Sequence, residues 1–130
     1  MTDINLGIDA DVIGGPHITA SRLKSVEAYD KISVVINAGD TNKVVDIQPG
    51  NANKVNFLMI TSDFYHSDVS YRANDGTADA AASITLDEPH LYFGSGMMSL
   101  FTVTPKSLKF TNSNTKKASI EILIGRDATP

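Results

Sequence analysis

Three histidines, His17, His66 and His90, are the residues best suited to proton transfer or metal binding. Imidazole titrates near neutral pH and is the commonest metal ligand. Ser62, Asp63, Asp87 and Glu88 stand close to them in sequence, so a serine–histidine–carboxylate grouping can be assembled on paper. The spacing argues against it. No histidine lies in a strand-to-helix nucleophile elbow, and no His-Glu-x-x-His puts two imidazoles on one helical face. Metal binding by His66 with Asp63 or Asp68 fails in the same way, because the residue types are present without a ligand pattern. The sequence holds no cysteine, which removes thiolate nucleophiles, disulfides and Cys-ligated zinc or iron–sulfur sites. The histidines are expected at loops and edges, with no catalytic residue, no cofactor and no metal.

Two further motifs have chemical possibilities. Asn74-Asp75-Gly76-Thr77-Ala78-Asp79 offers oxygens of the kind calcium prefers. With Gly76 at the invariant glycine of a calcium loop, however, Tyr71 and Ala82 fall where acidic ligands belong, and a solvated turn is expected instead. Gly94-Ser95-Gly96-Met97-Met98-Ser99 has the glycine spacing of a dinucleotide fingerprint. That motif needs a following helix. Thr102-Val103-Thr104 and Pro105 predict a strand there, so a tight inter-strand loop is the expectation.

The elements that must carry these residues are β-strands. Ile32–Asn37, Lys43–Gln48, Lys54–Thr61, Asp68–Arg72, Ser83–Asp87, Leu91–Phe93, Leu100–Thr104, Ser107–Thr111 and Ala118–Ile124 are short, rich in β-branched and aromatic residues, and separated by Gly, Pro, Asn and Asp. Ala78–Ala82 has the composition of one helical turn, and residues 22–30 that of a short helix or the approach to a strand. No stretch beyond residue 32 sustains a helical apolar period. This pattern predicts an all-β, antiparallel β-sandwich, jelly-roll-like, of about nine short strands. Lys54–Thr61 reads as a central strand. Ser107–Thr111 and Ala118–Ile124 read as a terminal hairpin, with Ala118, Ile120, Ile122 and Ile124 on one face. The expected core includes Val35, Val45, Phe57, Met59, Ile84, Leu86, Phe101, Phe110, Ile120 and Ile122.

Charge narrows the function classes. The chain of 130 residues carries a net −4, with no basic stripe, and a nucleic-acid partner is not expected. Residues 61–90 hold Asp63, Asp68, Asp75, Asp79, Asp87 and Glu88 against Arg72 alone. Residues 91–130 hold Lys106, Lys109, Lys116, Lys117 and Arg126 against Glu121 and Asp127. Such asymmetry is that of solvated faces, or of complementary faces on neighbouring subunits. The apolar runs are far shorter than the ~20 residues that span a bilayer, and the first residues lack the pattern of a secretory signal. No membrane partner is expected.

Residues 1–24 differ from the domain over 25–130. Gly14-Gly15-Pro16-His17 breaks regular structure, so an extended arm is predicted, with a short strand near Ile4–Ile8. Ile4, Leu6, Ile8, Val12, Ile13, Ile18 and Leu23 are nevertheless too many apolar groups for a disordered tail. They are expected to dock on an edge or seam of their own domain or to cross to a neighbouring subunit, and the hinge-like Gly14-Gly15-Pro16 favours crossing. Ile4, Leu6 and Ile8 recur at a spacing of two, as in a strand that adds to a sheet edge. Met97 and Met98 beside glycines have the adaptable chemistry of a partner surface. Ile4, Leu6, Ile8, Val12, Ile13, Met97 and Met98 are the subunit-interface candidates.

Val34-Val-Ile-Asn-Ala-Gly-Asp40, Ile84-Thr-Leu-Asp-Glu-Pro-His-Leu-Tyr-Phe-Gly94 and the closing segment Leu108–Arg126 give Ile32–Arg126 a texture that resembles the small all-β structural proteins of tailed-phage virions, head-decoration and tail-type subunits among them. The resemblance implies a non-enzymatic, homo-oligomeric assembly role, alone or with other virion proteins, in a virion (a cytoplasmic location being the alternative). The arm would tie neighbours together. The same texture occurs in carbohydrate-binding modules, so a ligand-binding sandwich is the alternative function. The absence of tryptophan, a common stacking platform in such modules, weighs against it.

Overall fold

The computed structural model describes residues 2–47, 55–103 and 105–127. Gln48, Pro49, Gly50, Lys54 and Thr104, which bound three of the expected strands, lie outside them. The molecule is built almost wholly of antiparallel β-structure, in line with the period-2 patterning. Strands β1 (Thr2–Asp11) and β2 (His17–Val26) form a two-stranded sheet of their own. Strands β3 (Ala28–Ile36), β4 (Lys43–Asp46), β5 (Val55–Ser62), β6 (Val69–Asn74), β7 (Ile84–Thr85), β8 (His90–Phe93), β9 (Ser107–Asn112) and β10 (Ala118–Arg126) make the body. One short helix, α1 (Gly94–Met98), follows β8. No helix among the described residues is long and apolar enough to cross a membrane.

The body is two four-stranded sheets, ordered β3-β10-β5-β8 and β4-β9-β6-β7. Counted within the body, successive strands alternate between the sheets except for β6 and β7, which pair with each other, and the resulting order is that of a jelly roll. The inner faces meet in one core. Ile36, Leu58, Ile60, Tyr92, Ala118, Ile120, Ile122 and Ile124 come from one sheet, and Val45, Val69, Tyr71, Ala73, Leu108 and Phe110 from the other. Strand β5 is interior to its sheet, as its apolar run predicts. Ala118, Ile120, Ile122 and Ile124 face the core while Ser119, Glu121 and Leu123 face outward.

Several expectations are corrected. Ser107–Thr111 and Ala118–Ile124 do not pair. Strands β9 and β10 lie in opposite sheets, and the connection crosses between layers. Asn112 makes this crossing possible. Its buried amide donates to the Ile36 carbonyl at 3.2 Å and the Lys116 carbonyl at 2.7 Å. Leu100–Val103 is not a strand; Phe101 reaches the core from a loop and packs on Tyr92 with ring centroids 4.5 Å apart. Of the two options for residues 22–30, the strand one holds: they end β2 and begin β3, on either side of Glu27. Ala78–Ala82 makes no helical turn; Ala80 is buried and its N–H donates to the Ala73 carbonyl. Of the expected core, Val35 is exposed and Met59 and Ile84 are half-buried. Leu58 and Ile60 take the inward positions beside Met59 because Val55–Ile60 offers too little polarity to set the phase of alternation.

Residues 2–26 differ most from expectation. Gly14-Gly15-Pro16 interrupts the strand but leaves no unpaired arm. It is the turn of a hairpin whose strands are ten residues each. Gly14 adopts φ +77°, which glycine tolerates without cost. The turn is closed by Gly15 N–H to the Val12 carbonyl and Val12 N–H to the Pro16 carbonyl.

Candidate functional site

The register of the hairpin sorts its side chains onto two faces. Directly opposed residues in an antiparallel pair share a face. Leu6 opposes Arg22, Ile8 opposes Ala20, Ala10 opposes Ile18, and Ile4 opposes Lys24. One face is therefore apolar and bears two cations. The other carries Asp3, Asn5, Asp9, Asp11, His17, Thr19, Ser21 and Ser25, with Leu23 alone among them. On that polar face Ser25 donates to Asp3 at 2.6 Å, and His17 pairs with Asp9. Such a split is the signature of a sheet with one buried side. Here no described residue of the body lies over most of the apolar side. Ile8 is 45% exposed, Ile18 73%, Val12 59% and Ile13 97%.

Among the described residues the hairpin is anchored at its root. Val26 is fully buried, and Glu27 N–H donates to the Arg126 carbonyl. Arg126 in turn pairs with Asp30, locking the end of β10 to the start of β3. A Cβ on Gly125 would sit 2.9 Å from Ile4 Cδ1, 3.0 Å from Val26 Cγ1 and 3.2 Å from Phe57 Cβ. Glycine at this position lets the root settle onto the outer face of the β3-β10-β5-β8 sheet, over Phe57.

That outer face can be read row by row from the pairing. Tyr29, Gly125, Phe57 and Phe93 form the row under the root. Lys31, Leu123, Met59 and Leu91 form the next, and Ser33, Glu121 and Thr61 the third. Leu123, Met59 and Leu91 are half-buried, with no layer above them among the described residues. Val35, Asp63, Ser119 and Glu121 border a shallow concavity of about 510 Å³. Lys31 Nζ stands 3.2 Å from Glu121, and Asp63 accepts from Ser119 N–H at 2.8 Å. The outer face of the opposite sheet is polar by comparison, presenting Ser70, Arg72, Lys109 and Thr111.

Of the interface candidates, Ile4, Leu6 and Ile8 fall on the apolar hairpin face, with Ile4 committed to the root. Val12 and Ile13 lie at the tip. Met97 and Met98 lie elsewhere, on α1. Met97 is exposed, and Met98 borders a pocket of about 320 Å³ with Asn56, Phe101 and Val103. The Asn56 Oδ1 is buried without a hydrogen-bond partner among the described residues. Ala10, Ile18, Ala20 and Arg22 complete the face; of these only Ile18 is among the apolar residues that mark the arm, and none is an interface candidate. Their signal was the alternation of Ile18, Ala20, Arg22 and Lys24, which only the pairing with β1 makes meaningful.

The structure does not gather the histidines. His17 is on the hairpin, His66 in the loop after β5, and His90 at the start of β8. Ser62 Oγ bonds the backbone of Phe64, and Asp63 holds Ser119, so neither serves a histidine. His66 accepts from Asp68 N–H and stacks on Phe64. His90 Nδ1 meets the Tyr71 hydroxyl at 2.7 Å, and that hydroxyl meets Tyr92 at 2.7 Å. This network bridges the two sheets. Burial first, then the bond to Tyr92, pushes the Tyr71 phenol far above its ordinary range, and burial raises Tyr92 as well. Both are uncharged links between sheets.

The Asn74–Asp79 turn spends its oxygens on itself. Asp75 accepts from Thr77 and Ala78 N–H at 2.8 and 2.7 Å, Asn74 accepts from Gly76, and Asp79 holds Asn74 and Lys109. The Ala78 and Thr77 amides hold Asp75 below the usual carboxylate range, and the Asn74 amide and Lys109 do so for Asp79. Among the described residues no group of three or more His, Asp or Glu is placed to hold a metal. Gly94–Met98 does form a helix, but of five residues and with no side-chain cap. No model of a known protein family matches this chain, and no curated protein matches it either.

Proposed function

We propose that this protein is a non-enzymatic structural subunit that assembles with copies of itself, as a component of a virion shell or a comparable protein assembly, through its N-terminal hairpin. The observation that carries the reading is the hairpin's uncovered apolar face. A two-stranded hairpin is marginally stable by itself in water, and a segregated apolar face gains its stabilisation only when water is removed from it. Ile8, Ala10, Ile18 and Ala20 are placed for such contact and are exposed among the described residues. Among those residues both hairpin strands also present free edges, which natural proteins seldom leave unprotected.

The jelly roll adds an analogy of fold. Viral capsid subunits use it, as do lectins and cupins, so the role is argued from the hairpin rather than from the topology. The test is the mass of the full chain in solution, by sedimentation velocity across concentrations, with electron microscopy of any assembled fraction. Closed rings, shells or filaments are expected. A monomer at every concentration that binds a glycan on an array would replace this reading with the carbohydrate-binding alternative.

A further inference from the structure

We propose that the hairpin's receptor is the outer face of the β3-β10-β5-β8 sheet of a second copy, with Ile8 and Ala20 seated over Leu123 and Met59 and Arg22 beside Glu121. This rests on the assembly reading above and names its partner surface. Three observations select the surface. The first is chemistry. The hairpin's apolar face bears Arg22 and Lys24 and no carboxylate. The outer sheet face offers half-buried Leu123, Met59 and Leu91 next to Glu121 and Asp63. Two hairpin faces packed on each other would contribute cations from both sides and no anion. The outer face of the opposite sheet is polar by comparison, and its Lys109 is already paired with Asp79 at 2.9 Å, so it offers the hairpin neither an apolar row nor a free carboxylate there.

The second is register. On the hairpin, the Arg22 row and the Ile8–Ala20 row are two residues apart. On the sheet, the Glu121 row and the Leu123–Met59 row are also two residues apart. Each step is roughly 7 Å along a strand, so charge and apolar rows coincide when the surfaces are laid together. The third is size. A hairpin face roughly 30 Å by 10 Å covers on the order of 300 Å², well short of the ~800 Å² per partner of a stable pairwise interface. One such contact is weak. The donor and receptor patches are different surfaces, so each subunit can give one hairpin and receive another. Head-to-tail contacts of that kind close into rings or extend as filaments.

The experiment is a charge exchange in the full chain. Arg22→Glu and Glu121→Arg are made singly and together, with Leu6→Lys as a control on the hairpin itself. Both exchanged positions are exposed, and circular dichroism checks that each variant folds. Sedimentation velocity reads the concentration of half-assembly. Each single exchange is expected to raise it at least tenfold, and the double exchange to return it to within about threefold of the parent. Parent-like assembly in the singles, with Leu6→Lys still dissociated, would place the receptor elsewhere and leave the assembly reading standing. Failure of the double to recover would also overturn the pairing. A parent chain that never assembles removes both.

Discussion

Gly125 shows how one residue decides whether the hairpin has a foundation. Its φ is ordinary, so its role is space rather than conformation. Ile4, Val26 and Phe57 converge on the position where a side chain would begin. Gly125→Val is expected to lose about 1–3 kcal/mol through overpacking, measured by urea denaturation, with a larger gain in protease sensitivity at the hairpin than in the body. Tyr71 is the corresponding link inside the core. Tyr71→Phe leaves His90 Nδ1 and the Tyr92 hydroxyl short of a partner and is expected to cost about 1–3 kcal/mol. Its folded-state pKa is raised above the ordinary phenol value of about 10. The stabilisation is therefore complete below that pH and is lost as pH rises beyond it. The stability gap between the parent and Tyr71→Phe should narrow by roughly 1 kcal/mol at about pH 11; a gap independent of pH would contradict the assignment. Neither role was legible in the sequence. Gly125 reads as a strand terminator there, and only the fold shows what it makes room for. The dispersal of the histidines, by contrast, follows from their spacing.

At the scale of elements, the outcome depended on whether a segment carries its own phase. Ala118–Ile124 alternates aliphatic residues with serine and glutamate, and its inward face was readable. Val55–Ile60 does not alternate, so Met59 was assigned inward where Leu58 and Ile60 belong. Phe57 is buried for a different reason than expected. It lies on the outer face and is covered by the hairpin root. Phe57→Ala is expected to cost about 3–5 kcal/mol by urea denaturation and to loosen the hairpin, seen as faster amide exchange over Thr2–Val26. Slowed or unchanged exchange there would show that the root does not rest on Phe57. The hairpin itself was hidden because glycine and proline at its tip read as a break between segments. The same residues make a turn once Ile4–Ala10 and Ile18–Lys24 are recognised as strands in register.

At the scale of the molecule, the fold class was legible and the layering was not. Short apolar segments punctuated by turn residues point to a sandwich. They do not reveal that the segments on either side of Asn112–Asn114 enter opposite sheets, because the bonds that permit the crossing come from Asn112 to Ile36, far away in sequence. The result, among the described residues, is a body with one polar outer face, one outer face with an apolar row, and a hairpin whose apolar side is largely uncovered. In the proposed assembly a neighbour completes such a molecule. The measurement that tests this most directly is the sedimentation mass of the full chain beside a variant carrying Leu6→Lys and Ile8→Lys. The account predicts a concentration-dependent assembly for the parent and a folded monomer, with unchanged circular dichroism, for the variant. A parent that remains monomeric, or a variant that assembles as the parent does, would contradict it.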